Sequence, residues 1–248
     1  MTRASLLDPP PSLSALQAAG PVALFIDFDG TLVEIASAPD GIDVPGGLPS
    51  ALERLADSMA GRVAVVSGRS LDDIAKHLGV QMQVAQAGSH GAERRLADGL
   101  VLGELPQGLP AEVISTLQDF AAAENLRYEA KTHGGALHYR ENPKAGDIAH
   151  RFAEEVAARN NLALKTGKCV VELVRKGTNK GAAVRAFMEQ PPFAGTMPVF
   201  IGDDVTDEDG FSACDELGGF GILVGSPRET RARYGLASVS QTHQWLGL

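Results

Sequence analysis

The sequence predicts an α/β protein whose core is a Rossmann-like, doubly wound parallel sheet, interrupted by an inserted α+β unit with an antiparallel sheet of its own. Two observations carry this. Short apolar runs alternate with helical stretches in the first and last thirds of the chain, and strands spaced by helices of that length imply a parallel sheet with helices on both faces. Between these thirds a helix-strand-strand pattern is written twice, without convincing residue identity between the copies.

Taken in order, "VALFIDF" from Val22 reads as a buried strand, "LPSALERLADSMA" as an amphipathic helix and "RVAVVSG" as a second strand. "SLDDIAKHLG" reads as a helix opened by Ser70 and closed by Gly79, and "MQVAQAG" as a third strand. The alternation resumes with "NKGAAVRAFMEQ" (helix), "MPVFIGDD" (strand), "DEDGFSACDEL" (helix) and "GFGILVG" (strand). In the middle, "PAEVISTLQDFAAAEN" is a helix followed by strands "LRYEAKT" and "GALHYR" across a His-Gly-Gly turn. "PKAGDIAHRFAEEVAARN" is the next helix, followed by "LALKT" and "CVVELV" across a Gly-Lys turn. The expected division is a flexible lead-in over residues 1–20, a core over 21–105 and 176–248, and the inserted unit over 106–175.

Period-two alternation puts Glu129 and Lys131 on one side of their strand and His138 and Arg140 on one side of theirs, while Glu172 interrupts an apolar run. A sheet covered by helices on one face leaves the other open, and these polar residues are expected to occupy that open face.

Bulk properties narrow the function. The 248 residues are 44% hydrophobic and 21% charged, ordinary for a globular protein. A net charge of −9 argues against a nucleic-acid surface, which needs clustered Lys and Arg. Two distant cysteines, Cys169 and Cys214, favour a reducing compartment without a disulfide or thiolate metal site. The amino-terminal stretch lacks a secretory core, since Asp8 and the prolines at 9–11 interrupt its apolar patch. No stretch approaches the roughly 18 apolar residues of a membrane span. A cytoplasmic location with no nucleic-acid or membrane partner is the expectation; oligomeric state is not legible.

The chemistry lies in the acidic strand ends. Asp27 and Asp29 sit two residues apart where the first apolar strand gives way to Gly30-Thr31. A second cluster, "GDDVTD", follows the strand "MPVF" and contributes Asp203 and Asp207. Ligands of doubly wound sheets gather at the carboxyl ends of the strands, so Asp27, Asp29 and Asp203 are expected to converge despite their separation in sequence. Crowded carboxylates need a cation, and an all-oxygen set without His or Cys points to Mg2+. A calcium-loop reading from Val205 fails, because Val cannot coordinate at the first position and a strand precedes it. Ser67, at the end of "VVSG", has a hydroxyl that can bond a phosphate oxygen, beside a helix amino end that favours anions. Lys180, in "TNKGAAV", starts another helix, where its ammonium can neutralise phosphate and aspartate alike. Lys168 and Lys176 compete for that role; Lys180 is preferred because Asn-Lys-Gly opens a helix after a turn.

In the order "DFDGT", "SGR", "NKG", "GDDVTD", these motifs resemble the haloacid dehalogenase superfamily of magnesium-dependent phosphatases, and the inserted unit resembles its α+β cap. Within it the chain is most similar to trehalose-6-phosphate phosphatases, through "GSHGAE" at 88–93, "EAK" at 129–131, "LHYR" at 137–140 and "VVEL" at 170–173. The likeness runs from about Val22 to the carboxyl end. It implies Asp27 as nucleophile, Asp29 as general acid and base, and Mg2+ held by Asp27, the Asp29 main-chain carbonyl and Asp203. It implies phosphate-binding roles for Ser67 and Lys180, and a supporting role for Asp207 in orienting Lys180 or a metal-bound water. Glu129, Lys131 and Glu172 match cap residues that grip sugar hydroxyls, with Arg69, His90, His138 and Arg140 as further substrate-binding candidates. The function implied is hydrolysis of trehalose 6-phosphate, a small-molecule sugar phosphate, through an aspartyl-phosphate. Sucrose, mannosyl or hexose phosphates are alternative substrates, and a non-catalytic sugar-phosphate sensor is the alternative of another class.

Overall fold

The apolar run at Val22 becomes the strand around which the core is built. In the computed structural model, which describes residues 7–35, 42–80, 82–103, 108–131, 133–167 and 169–248, the chain divides into two compact units. One combines Met1–Glu104 with Asn179–Leu248, and the other is Leu105–Thr178.

The first unit runs α1 (Leu13–Ala19), β1 (Val22–Ile26), α2 (Leu48–Ser58), β2 (Val63–Val66), α3 (Leu71–Leu78), β3 (Ala85–Gly88) and β4 (Glu93–Arg95). The second unit follows with α4 (Ala111–Ala123), β5 (Arg127–Lys131), β6 (Gly134–His138), α5 (Gly146–Arg159), β7 (Leu162–Gly167) and β8 (Val170–Arg175). The chain then returns to the first unit as α6 (Lys180–Met188), β9 (Met197–Gly202), α7 (Glu208–Glu216), β10 (Phe220–Val224), β11 (Tyr234–Leu236) and α8 (Val239–Leu246).

Seven strands of the first unit form one sheet in the order β11-β10-β9-β1-β2-β3-β4. All neighbours are parallel except β3 and β4. Every residue of β1 is buried, because the strand is covered on both sides. Val22, Leu24 and Ile26 pack with Leu52, Ile74 and Leu246 from α2, α3 and α8. Ala23 and Phe25 pack on the opposite face with Val184, Phe187 and Phe211 from α6 and α7. Side-chain alternation along one strand thus divides the hydrophobic core into two layers.

Four elements lie outside expectation: β4, β11, α1 and α8. β4 is antiparallel and β11 has three residues, so neither short edge strand carries a readable period. The stretch expected to be a flexible lead-in holds a helix: Ser12 caps α1, Leu13 is buried, and Trp245 Nε1 donates to the Pro11 carbonyl at 2.8 Å. Residues 1–6 of that stretch lie outside the described residues. Its order comes from packing on the carboxyl-terminal helix, which the amino-terminal sequence alone does not reveal.

In the second unit the strands pair antiparallel in the order β5-β6-β8-β7. Leu137, Val171, Leu173 and Leu162 pack under Leu117, Ala149 and Ala153 of the two helices. The expected His-Gly-Gly turn is shifted, since Gly134 and Gly135 both lie inside β6. A side chain at Gly134 would come within 2.7 Å of the Leu173 carbonyl. Among the described residues no helix is long and apolar enough to cross a membrane.

Candidate active site

Parallel pairing brings the two acidic segments together. β1 and β9 are in register with Ile26 opposite Ile201, and Asp27 N–H donates to the Ile201 carbonyl at 2.9 Å. Asp27 therefore comes level with Gly202, and Asp203 leaves the adjacent strand one residue further on. A carboxylate oxygen from each of Asp27, Asp203 and Asp207 can be chosen so that all three lie within 4.8 Å of one another.

Two glycines make this approach possible. Gly30, at φ +81°, passes so close to Asp203 that a β-carbon there would lie 2.2 Å from its Oδ2. Gly202 likewise gives way to Asp207, whose Cγ would be 2.3 Å from a β-carbon. These distances are far inside van der Waals contact, so the "DG" and "GD" spellings follow from the space the carboxylates need.

Lys180 joins the cluster from the first position of α6, where Asn179 caps the helix by accepting from Ala182 N–H at 2.7 Å. Its Nζ donates to Asp27 Oδ1 at 2.7 Å and to Asp207 Oδ1 at 2.6 Å. Asp207 Oδ2 in turn accepts from Asp204 N–H at 2.9 Å. Removing that ammonium would strand buried carboxylates, a change costing about 3–5 kcal/mol in comparable pairs. Of the competing lysines, Lys176 is exposed in the turn after β8, and Lys168 lies outside the described residues.

The electrostatics show what this cluster lacks. Burial, reinforced by the charge of Asp207, pushes the Asp27 carboxyl well above the usual carboxylate range against the pull of Lys180. Burial and then Asp207 and Asp204 push Asp203 up to about 6. Burial also raises Asp207, although Lys180 opposes it. For Lys180, burial works against the charge, but Asp27 and Asp207 outweigh it and keep the ammonium protonated. Counted as ions, three carboxylates face one ammonium, a deficit of two positive charges. Asp203 Oδ1 is buried and has no hydrogen-bond partner among the described residues. A divalent, oxygen-seeking cation fits both the charge deficit and the orphaned oxygen.

Ser67 follows β2, beside β1, and is fully buried. It does not cap α3, whose cap is Ser70; its Oγ accepts from Arg69 N–H at 3.1 Å. His90 sits at φ +56°, its N–H donates to the Ser67 carbonyl at 2.9 Å, and its ring lies against Gly68. Asp29 does not join the three-carboxylate cluster. Both of its oxygens accept from Arg69, Oδ2 from Nε at 2.7 Å and Oδ1 from Nη2 at 2.9 Å. Arg69, expected among the substrate-binding residues, thus spends these donors on Asp29, and Nη1 on Asp73 at 2.6 Å. The Arg69–Asp73 spacing of four residues is a readable local signal; the Arg69–Asp29 contact has none, because it joins the segments that follow two different strands.

The second unit gathers a polar group of its own on the sheet face away from its helices. Register places Ala136 between Glu129 and Glu172. Lys131 Nζ donates to Glu172 Oε2 at 2.8 Å, and His138 Nε2 is 2.6 Å from Glu129 Oε2. Arg140 departs from expectation: β6 ends at His138, and Arg140 is exposed in the bend beyond it.

The fold is that of haloacid dehalogenase-like hydrolases. One such hydrolase from Bacteroides thetaiotaomicron superposes with a TM-score of 0.68 over 91% of this chain and 97% of its own, at 15% identity. The C-terminal domain of the C. albicans trehalose-6-phosphate phosphatase superposes with a TM-score of 0.79 over 99% of this chain and 98% of that domain, at 21% identity. The trehalose-phosphatase family model matches residues 25–240. The trehalose-6-phosphate phosphatase of Escherichia coli (strain K12) is 40% identical over 230 residues, covering 90% of this chain and 85% of that protein. The chain belongs to the trehalose-phosphatase family, a family of phosphomonoester hydrolases.

Proposed function

We propose that this protein hydrolyses trehalose 6-phosphate to trehalose and phosphate at the Asp27 cluster, with Mg2+ as its cofactor. The observation that carries the reading is the convergence of Asp27, Asp203 and Asp207 around Lys180 at the strand ends, in a chain of this family.

Asp27, Asp203 and the main-chain carbonyl of Asp29 are the residues that would hold the cation. When bound, it supplies positive charge that offsets the repulsion between a carboxylate and a phosphate dianion. Lys180 supplies further positive charge on the same side, and Ser67 donates to a phosphate oxygen. An Asp27 oxygen attacks phosphorus; the new O–P bond forms as the bond to the sugar oxygen breaks, and Asp29, with one oxygen freed from Arg69 to carry a proton, gives that proton to the sugar oxygen. Water then attacks the aspartyl-phosphate, Asp29 takes a proton from it, and the Asp27–phosphorus bond breaks to release phosphate. Splitting one displacement into two suits a reaction whose enzymes reach accelerations of up to about 10²¹-fold.

The residues 106–175 are proposed to act as the cap. Glu129 and Glu172 accept from sugar hydroxyls and Lys131 donates to them, with His138 holding Glu129. A site built to bond hydroxyls rejects analogues that lack them. The test is phosphate release from trehalose 6-phosphate, sucrose 6-phosphate, a mannosyl phosphate and glucose 6-phosphate, each with Mg2+ and with chelator. Metal-dependent release, fastest from trehalose 6-phosphate, is expected. Undiminished turnover after thorough metal removal, or preference for another sugar phosphate, overturns the corresponding part.

A further inference from the structure

Beyond the carboxylates themselves, we propose that Arg228 and Glu208 are positioning residues for the metal site, acting through the main chain of Asp204. The inference rests on the metal reading above. Asp204 lies between Asp203 and the short helical turn Val205–Asp207 that ends at Asp207. Its N–H is taken by Asp207 Oδ2 at 2.9 Å, and that same carboxylate receives Lys180 on its other oxygen. Its carbonyl accepts from Arg228 Nη2 at 2.7 Å. Both main-chain polar groups of Asp204 are therefore held by Asp207, whose N–H also donates to the carbonyl at 3.1 Å, and Arg228 adds a second donor to that carbonyl from outside the turn.

Arg228 is itself anchored. Its Nη1 pairs with Glu208 Oε1 and donates to the Glu229 carbonyl at 3.0 Å. Glu208 opens α7, directly after Asp207, and accepts from Thr230 Oγ1 at 2.7 Å and Arg231 N–H at 2.7 Å. The segment at 228–231 and the first turn of α7 thus form a closed ring of bonds around the chain that carries Asp203 and Asp207. Glu208 balances the guanidinium charge, so the ring contributes orientation and little net field. Residues that orient metal ligands without touching the ion typically change affinity by about 10–100-fold when removed.

The experiment measures Mg2+ binding by calorimetry on substrate-free, chelator-stripped wild type, Arg228→Ala, Arg228→Lys and Glu208→Gln, with melting temperatures recorded with and without metal. Arg228→Ala is expected to weaken Mg2+ binding about 10–100-fold, Glu208→Gln to weaken it less, and Arg228→Lys to recover part of the loss. A purely structural tie would lower the metal-free melting temperature while leaving the Mg2+ dissociation constant unchanged in every variant, and that result overturns the inference. If Arg228→Ala does not fold, Arg228→Lys and Glu208→Gln decide it by the same criterion. Wild type that binds no Mg2+ sinks the metal reading, and this inference with it. Normal wild-type binding with unaltered variants sinks this inference alone.

Discussion

Arg69 grips Asp29 with two parallel bonds, Nε to Oδ2 and Nη2 to Oδ1, while its remaining terminal nitrogen holds Asp73. Forks of this kind fix a carboxylate in orientation as well as position. In this arrangement the carboxyl assigned to proton transfer is oriented by a neighbour in the bend after β2, and a lysine cannot reproduce the two-point hold.

Arg69→Lys is expected to lower kcat on trehalose 6-phosphate by about 10–100-fold, the equivalent of one charged hydrogen bond. An aryl phosphate, whose leaving group departs without a proton, should lose much less. Steady-state kinetics on the two substrates check this, and equal losses on both would remove Asp29 orientation as the reason.

The raised Asp203 carboxyl sets a pH dependence for the metal-free protein. Its folded value of about 6 lies above the ordinary 3.8, so the folded chain binds this proton more tightly than the unfolded one. The group's contribution to stability is fully present below about 3.8 and is lost as pH rises through about 6. In chelator, the melting temperature of wild type should therefore fall more steeply than that of Asp203→Asn between about pH 4.5 and 7. Saturating Mg2+ should reverse this trend, because the cation binds the ionised form and competes with the proton. Parallel melting curves for wild type and Asp203→Asn across that range would contradict the assignment.

Glu129→Ala should raise KM for trehalose 6-phosphate by about 10–100-fold, the loss of a charged hydrogen bond to a hydroxyl. p-Nitrophenyl phosphate offers no such hydroxyl, and its kinetics should hardly change. Losses of the same size on both substrates would refute a sugar-gripping role for the polar face of the second unit.

Much of the fold could be read from local sequence. Ser70 and Gly79 bracket α3 as expected, and Asn179 and Lys180 open α6, because caps and apolar periods act over a few residues. Most elements outside that reading are short or marginal, although α8, with Val239, Thr242 and Leu246 buried, also lies beyond the expected alternation. β4 and β11 have three residues each, too few for a period to emerge. Only one residue of α1 is buried, Leu13, so its sequence shows no strong apolar stripe. Continuing the alternation of "LHYR" predicts a strand position for Arg140, but β6 ends at His138.

The candidate site divides along the same line. Acidic strand ends, the glycines beside them and the helix-opening lysine are spelled out in "DFDGT", "NKG" and "GDDVTD", since a turn off a strand demands particular residues whatever surrounds it. Which of those groups meet is another matter. Lys180 reaches Asp27 across 153 residues and Asp207 across 27, Arg69 takes Asp29 from the bend after β2, and Arg228 closes on Glu208. Sequence by itself determined the order of strands and helices and the residue types at their ends, because backbone preference and burial period are local properties. Tertiary structure decided the pairings, because strand order in the sheet and the packing of α6 and α7 set which charged tips lie within bonding distance.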